Sequence, residues 1–468
     1  MPKPILLIAL LALSGCVTLP ELKWPTFDTP TPAVPSAAES TPVAVHLPAD
    51  WWRAYGDPAL DALMAEALAH NADLRLAAAR VDEARAQWAL AEGTRRPYVE
   101  ASLGASRTRS TELGKFPAPT PIGNSFQAGV QAAYELDWWG RYRQASAAAR
   151  ADLLASQLGQ DVVLNGLAVT VATTWFTLRS LDAQLNLADQ TLANRREWLA
   201  LQRLRQQVGE ASEYELSLAE AELASVEAGR AGLVRSLALN EHALAALTGR
   251  TPRQQAEERP ARGNAMPGVP EVPAGLPSDL LARRPDIRQA EARLTAAEAR
   301  IAEAKAAIYP NLTLTANLGS ESKSLSDLFS GPATVWGLAA NLAQTLYNAG
   351  RTEAAMDAAV ARRTQALIEY EQTVRNAFRE TLDALVAVRQ ARAQAEASQR
   401  RVEAQRRAAE LADLRHRNGA ASHIEVLDAQ RDLYGAEQDR LNAELARLTA
   451  SADLFKALGG GWQPDATP

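Results

Sequence analysis

The sequence predicts a mainly α chain with membrane β-strands, built as a tandem duplication in which each repeat sets two amphipathic strands between a short helix and a long helical hairpin. Three observations carry this. Landmarks recur at a nearly constant offset: Asp73 with Asp286, Gly140 with Gly350 and Gly209 with Gly419, separated by 213, 210 and 210 residues. Four segments alternate apolar and polar residues with the period of a strand. Two proline-free stretches, 140–208 and 350–418, read as single helices of about 69 residues, roughly 100 Å long at 1.5 Å per residue.

The N-terminus is a targeting segment. Lys3, the apolar run Ile5 to Leu13 and then Leu13-Ser14-Gly15-Cys16 read as a signal peptide over 1–15 ending in a lipobox. The run is shorter than the ~20 residues that span a bilayer as a helix. Cleavage before Cys16 and its acylation anchor the chain to membrane lipid on the exported side. Cys16 is the only cysteine, so no intrachain disulfide forms. Residues 16–50 hold seven prolines among Ser and Thr, the composition of a tether.

The first repeat occupies 51–251. Asp57 is placed to cap a helix with Pro58 at its first position, and Leu60, Leu63, Met64, Ala67 and Leu68 give it an apolar stripe. A second helix runs from Asp73 to about Arg96, stopped by Pro97. Strands come next at about 98–107, with Val99, Ala101, Leu103 and Ala105 on one face, and at 124–137, with Phe126, Val130, Tyr134 and Leu136 on one face. The second repeat, 286–461, places strands at about 310–320 and 333–347. These lengths approach the ~9–11 residues of a tilted membrane strand. Helical hairpins span 140–249 and 350–459. Leu178, Leu181, Leu185, Ala188, Leu192 and Leu199 mark a heptad seam on the first, and Val374, Thr381, Val388, Ala395, Val402 and Ala409 on the second. Gly209 and Gly419 end the long helices, and Ser212-x-x-Glu215 and Ser422-x-x-Glu425 read as capping boxes that start the next ones. The helix before the strands and the helix after the turn together match one long rod, so two short helices should stack end to end beside it. Their junction falls at the proline-rich pieces, of which 252–285 joins the repeats, making an equatorial belt at mid-height; 462–468 is a tail.

Four membrane strands cannot close a barrel, and open edges are not tolerated in lipid. The protein must therefore oligomerise, with two, three or four copies giving 8, 12 or 16 strands. Net charge is −6 with both signs interleaved and no basic stripe, which excludes a nucleic-acid partner. The five histidines form no HExxH or comparable pattern, and His416 and His423, flanking a helix turn, read as exposed polar residues. No Gly-x-x-x-x-Gly-Lys phosphate loop occurs. The sequence thus predicts no catalytic site, no metal and no cofactor; any energy comes from a partner. A pore-less structural lipoprotein bridging envelope layers is the alternative, and the four strands argue against it.

Several stretches carry a family resemblance: the lipobox, Trp51-Trp52 with Gly56-Asp57-Pro58, Arg284-Pro285-Asp286, Tyr309-Pro310-Asn311-Leu312, Leu328-Phe329-Ser330-Gly331 and Leu427-Asp428-Ala429-Gln430-Arg431. From about residue 48 onward the chain resembles the TolC-like outer-membrane efflux proteins, within them the lipidated subgroup of multidrug pumps. The resemblance implies a homotrimer with a twelve-stranded barrel in the outer membrane, continuous with a long helical barrel in the periplasm. It implies a periplasmic adaptor, an inner-membrane RND-type transporter, and passive conduction of small molecules to the exterior. A type I protein-secretion duct is the alternative within this fold. By motif, Asp428 is the acidic ring residue of the periplasmic gate and Arg431 its partner, with Ile424 and Glu425 just before them. The tips around Gly209, Ser212, Gly419 and Ser422 are the adaptor contacts. For the N-terminal reading, Cys16→Ser is expected to abolish metabolic palmitate labelling; undiminished labelling would contradict it.

Overall fold

The computed structural model describes residues 50–111, 122–257, 266–270 and 284–460. The chain divides into Met1–Thr41, outside the described residues, and a unit from Pro42 to Pro468 that holds every element of the fold. The signal peptide, Cys16, most of the tether, the tail and much of the inter-repeat linker also fall outside the described residues.

A 3-10 turn, Trp51–Tyr55, leads into α1 (Pro58–His70), α2 (Ala72–Gly93), β1 (Tyr98–Arg109) and β2 (Ile122–Leu136). The first hairpin is α3 (Arg141–Gln207) and α4 (Glu213–Thr248), succeeded by a short α5 (Pro252–Glu257). The second repeat comprises α6 (Pro285–Ala306), β3 (Asn311–Ser322), β4 (Thr334–Ala343), α7 (Arg351–Arg417) and α8 (His423–Ala457). The rods α3 and α7 are each 67 residues long. β4 stops at Ala343, short of the expected 347, where the Gln344 side-chain amide donates instead to the carbonyls of Ile308 and Thr345.

Strands from both repeats join one antiparallel sheet in the order β1-β2-β3-β4. Register keeps the alternation aligned across it: Ala101 pairs with Val130, Val130 with Leu318 and Leu318 with Trp336. Directly paired residues share a face, so Val99, Leu103, Val130, Leu318, Trp336 and Leu338 lie on one apolar face. Glu100, Gln131, Glu135, Asn317 and Asn341 fall on the other. Several of the apolar residues are largely exposed, Leu103 at 85% and Leu338 at 77%. In water that would be an aggregation surface; in lipid it is the required one. On the polar face Gly129 pairs with Gly319, and a Cβ on Gly319 would stand 2.5 Å from the Ala128 carbonyl oxygen. Strands here approach too closely for any larger residue.

The main apolar core lies at the middle of the rods. Trp51, Trp52 and Tyr55 pack with α1 against Trp175 and Phe176 of α3, and against Leu244 of α4 and Phe455 of α8, near those helices' C-terminal ends. Trp51 stacks on Phe455 at 5.0 Å, and the Trp175 indole N–H donates to Asp57 at 2.8 Å. Asp57 also accepts from the amides of Ala59 and Leu60, so one carboxylate caps α1 and fixes the rod beside it. From the linker, Met266 and Val269 pack against the same core. At the equivalent level of the second repeat, Arg284 is 6% exposed. It donates to Asp286, to Glu380 of α7 and to the Ala457 carbonyl that ends α8.

Short helices therefore lie end to end along the rods: α2 and α4 along α3, α6 and α8 along α7, with α6 and α8 also touching α3. The other heptad positions of the α7 seam hold small or polar residues, with Ala377, Ala384 and Ala391 buried and Ser398 and Gln405 half-buried. On α3 the seam departs from the expected leucines. Leu185 is only half-buried, and Gln184, Arg195 and Gln202 occupy buried seam positions. Because Trp175 is 0% exposed in the core where the entry turn, α1, α3, α4 and α8 meet, Trp175→Ala is expected to cost about 3–5 kcal/mol. The check is a lowered unfolding temperature of the detergent-solubilised protein.

Candidate channel gate and hairpin tips

Each rod ends in the same device. Gly209 takes φ +80° and Gly419 φ +71°, the left-handed geometry glycine adopts without steric cost. The amides of Gly209 and Glu210 return to the Gln206 and Arg205 carbonyls, and those of Gly419 and Ala420 to His416 and Arg415. Both are Schellman closures that satisfy the last carbonyls of a helix.

Past the glycine the two repeats diverge. At the first tip the capping box is complete: the Glu215 amide donates to Ser212 Oγ at 3.2 Å, and the Ser212 amide donates to the Glu215 carboxylate at 2.8 Å. That amide holds the Glu215 carboxyl below its ordinary range. At the second tip only half forms. The Glu425 amide reaches Ser422 Oγ at 3.4 Å, while the Glu425 carboxylate lies 3.6 Å from Arg415 of α7. The expectation of two equal boxes is thus corrected, because the local cation draws the second carboxylate away.

Beyond the second tip, Asp428 and Arg431 lie one turn apart on α8 and pair at 2.8 Å, both about half-exposed. Arg431 also approaches Glu222 of α4 at 3.7 Å. Ile424 is exposed, and Leu427 and Val426 are buried behind the charged face. Next to this pair, Gln430 accepts from Arg195 of α3 at 2.9 Å, and further along α8 Asn442 accepts from Gln184 at 3.1 Å. Polar contacts thus link α8 to both helices of the first hairpin. Burial pushes the Arg195 guanidinium's pKa down from its ordinary value.

The expectation that His416 and His423 are exposed polar residues fails at both, which are half-buried. The His423 ring stacks on Trp198 of α3 with centroids 3.3 Å apart, and His416 stands edge-on at 5.0 Å. Burial, first, lowers the His423 pKa to about 4. Sequence reasoning also passed over Gln184, Arg195, Trp198, Glu222 and Gln430. Polar residues at heptad positions are the one sequence signal that marks some of them. On the flanks, Arg196–Glu227 and Arg406–Glu437 make the same 3.0 Å bridge in the two hairpins, a surface pairing that the duplication has kept. Among the described residues, no group of three or more His, Cys, Asp or Glu is placed to hold a metal ion.

A sheet with one apolar and one polar face, open at both edges and continued by paired helical hairpins, defines a subunit of an outer-membrane channel with a helical extension. The family model for "Outer membrane efflux protein" matches residues 63–250 and 276–460, one match per repeat, and the chain belongs to that family. It is 34% identical to the solvent efflux pump outer membrane protein SrpC of Pseudomonas putida, over 98% of each chain. It is 33% identical to the cation efflux system protein CusC of Escherichia coli O6:H1, over 97% of each. The crystal structure of the Campylobacter jejuni CmeC outer membrane channel superposes with a TM-score of 0.90 at 25% identity, covering 96% of each chain.

The fold is therefore TolC-like and the location the outer membrane, and the chain is an exit duct of tripartite efflux pumps. The family is one of trimeric channels that work with adaptors and inner-membrane pumps, not one of known enzymes. From the two capping geometries, Ser212→Ala is expected to cost about 1 kcal/mol, and Ser422→Ala less. Amide exchange in the first turns of α4 and α8 compares them.

Proposed function

We propose that three copies assemble so that their sheets join edge to edge into a twelve-stranded barrel, conducting small molecules passed on by a periplasmic adaptor and an inner-membrane RND-type transporter. The observation that carries this is the sheet itself. Strands from both repeats form one continuous four-stranded unit with its apolar face in register, and among the described residues the outer edges of β1 and β4 have no partner. Unpaired backbone groups at those edges cost several kcal/mol each in hydrocarbon, so pairing with further copies is the way to stability in the membrane. Cys16, acylated, adds a lipid anchor on the periplasmic side of the barrel.

The gate belongs to the second hairpin. Asp428, with Arg431, Glu425 and Ile424 around it, stands near the end of α8 that begins at the tip. Three such carboxylates about one axis repel one another and concentrate cations. The pairing of Asp428 with Arg431, and of Arg431 with Glu222 of α4, supports a closed arrangement in which the second hairpin is held to the first. The tips at Gly209, Ser212, Gly419 and Ser422 form the adaptor-docking end. Relatives named for solvent, cation and pyoverdine export support a duct whose cargo is chosen by the transporter.

Native mass in mild detergent tests the assembly: three times the protomer mass is expected, and a stable monomer would overturn it. For the gate, Asp428→Ala is expected to raise single-channel conductance in planar bilayers several-fold. Unchanged conductance of an inserted channel would remove Asp428 from the gate.

A further inference from the structure

His423 occupies an unusual seat. It is the first residue of α8, yet its ring is sandwiched against Trp198 of α3 and the edge of His416 of α7. Both of its ring nitrogens are buried and have no hydrogen-bond partner among the described residues, and neither has the Trp198 indole N–H. A neutral imidazole always carries one N–H, so at least one buried donor goes unsatisfied here, a cost of roughly 1–3 kcal/mol. His416 turns its Nδ1 to the Ala421 carbonyl at 3.1 Å instead.

The surroundings disfavour the charged ring. Arg195 and Arg205 of α3 and His416 of α7 face it, and among the described residues Glu215 of α4 is the carboxylate that acts on it. That carboxylate is already committed to the Ser212 amide and hydroxyl. Position adds to this, because the N-terminal turn of a helix carries partial positive charge.

We propose that His423 is a proton-operated latch: neutral, it holds the tip-proximal end of α8 against α3 through Trp198, and on gaining a proton it leaves that seat for water. Glu425, Asp428 and Arg431 follow within about two turns along α8. Through them the latch ties the pH of the periplasm to the gate, and this last step rests on the proposed role of Asp428 in the gate.

Linkage sets the sign. Seated, the ring has its pKa lowered to about 4; released, it returns to the ordinary value of about 6.5. The seated form therefore binds protons less well. Its advantage is full above pH 6.5, falls as pH drops from 6.5 towards 4, and is lost below that. Between pH 7.5 and 5.0 the equilibrium should shift towards release by roughly 30-fold per protomer. Ordinary carboxylates titrate mainly below this window, and Glu215 is held lower still.

The test uses the full-length purified protein in detergent and in planar bilayers, at pH 7.5 and 5.0. Amide exchange of the α8 segment 423–431, corrected for intrinsic rates and compared with the segment 213–221 of α4, reads release directly. Expected is a selective loss of protection in 423–431 at pH 5.0 that is absent in His423→Phe, which keeps the stack and takes no proton. Arg205→Gln, removing a facing cation, should move the transition to lower pH if the seated ring then tolerates charge better, and serves if the Phe variant does not fold. Unchanged protection in the wild type, or the same loss in His423→Phe, would overturn the latch. Conductance separates latch from gate. Release with a matching rise in open probability supports both together, whereas release at constant conductance supports the latch and removes the gate assignment.

Discussion

The structure depends on one packing arrangement halfway along the rods. A helix of 67 residues gains little from its own hydrogen bonds in water, since helical stability in proteins comes mainly from tertiary packing. Around Trp175 the packing is dense and directional: aromatic rings from the entry turn, from α3 and from α8 interlock, and Asp57 joins the indole to the α1 cap. On one side of this level α2 and α6 accompany the rods to the sheet; on the other α4 and α8 accompany them to the tips. Arg284 makes the corresponding junction in the second repeat with charge and hydrogen bonds instead of rings. Both ends of the molecule are positioned from this middle.

The two repeats share a plan but not a substance. In the first, the rod buries leucines and aromatic rings, and its tip is closed by a reciprocal capping box. In the second, the seam is mostly alanine, valine and polar residues, and the tip cap is half-made. Small residues let helices approach closely but bury less apolar area per turn, at about 25 cal/mol per Å². The second rod therefore buries smaller side chains than the first, and α8 adds polar contacts to α3 and α4.

Much of this was legible in the sequence, for local reasons. Alternation over ten or more residues marks a strand whatever surrounds it; Pro97 and Pro310 stop helices by steric clash, and Gly209 and Gly419 supply the left-handed residue a Schellman closure requires. The family resemblance implies three copies, a number that strand counting left open. What escaped depends on partners distant in sequence. Arg195 and Gln184 drew no assignment because nothing in α3 announces Gln430 and Asn442 across the groove. His423 read as exposed because its burial is created by Trp198, 225 positions earlier in the chain. Ser422-x-x-Glu425 matches the capping-box pattern, but Arg415 competes for the carboxylate, and a pattern of four residues holds no information about that rival.

The amide and guanidinium pairs between α3 and α8 have a mechanical meaning. Pulling apart a leucine seam exposes oily surface, and the work rises with every square ångström. Pulling apart Gln184 from Asn442, or Arg195 from Gln430, exchanges one set of hydrogen bonds for another with incoming water, at a net cost of about 0.5–1.5 kcal/mol for the neutral pair and about 1.5–3 kcal/mol for the charged one. Such a joint is polar. It fastens and unfastens repeatedly without leaving a sticky face behind, which is the property a moving part needs when it must work in water beside a rigid one.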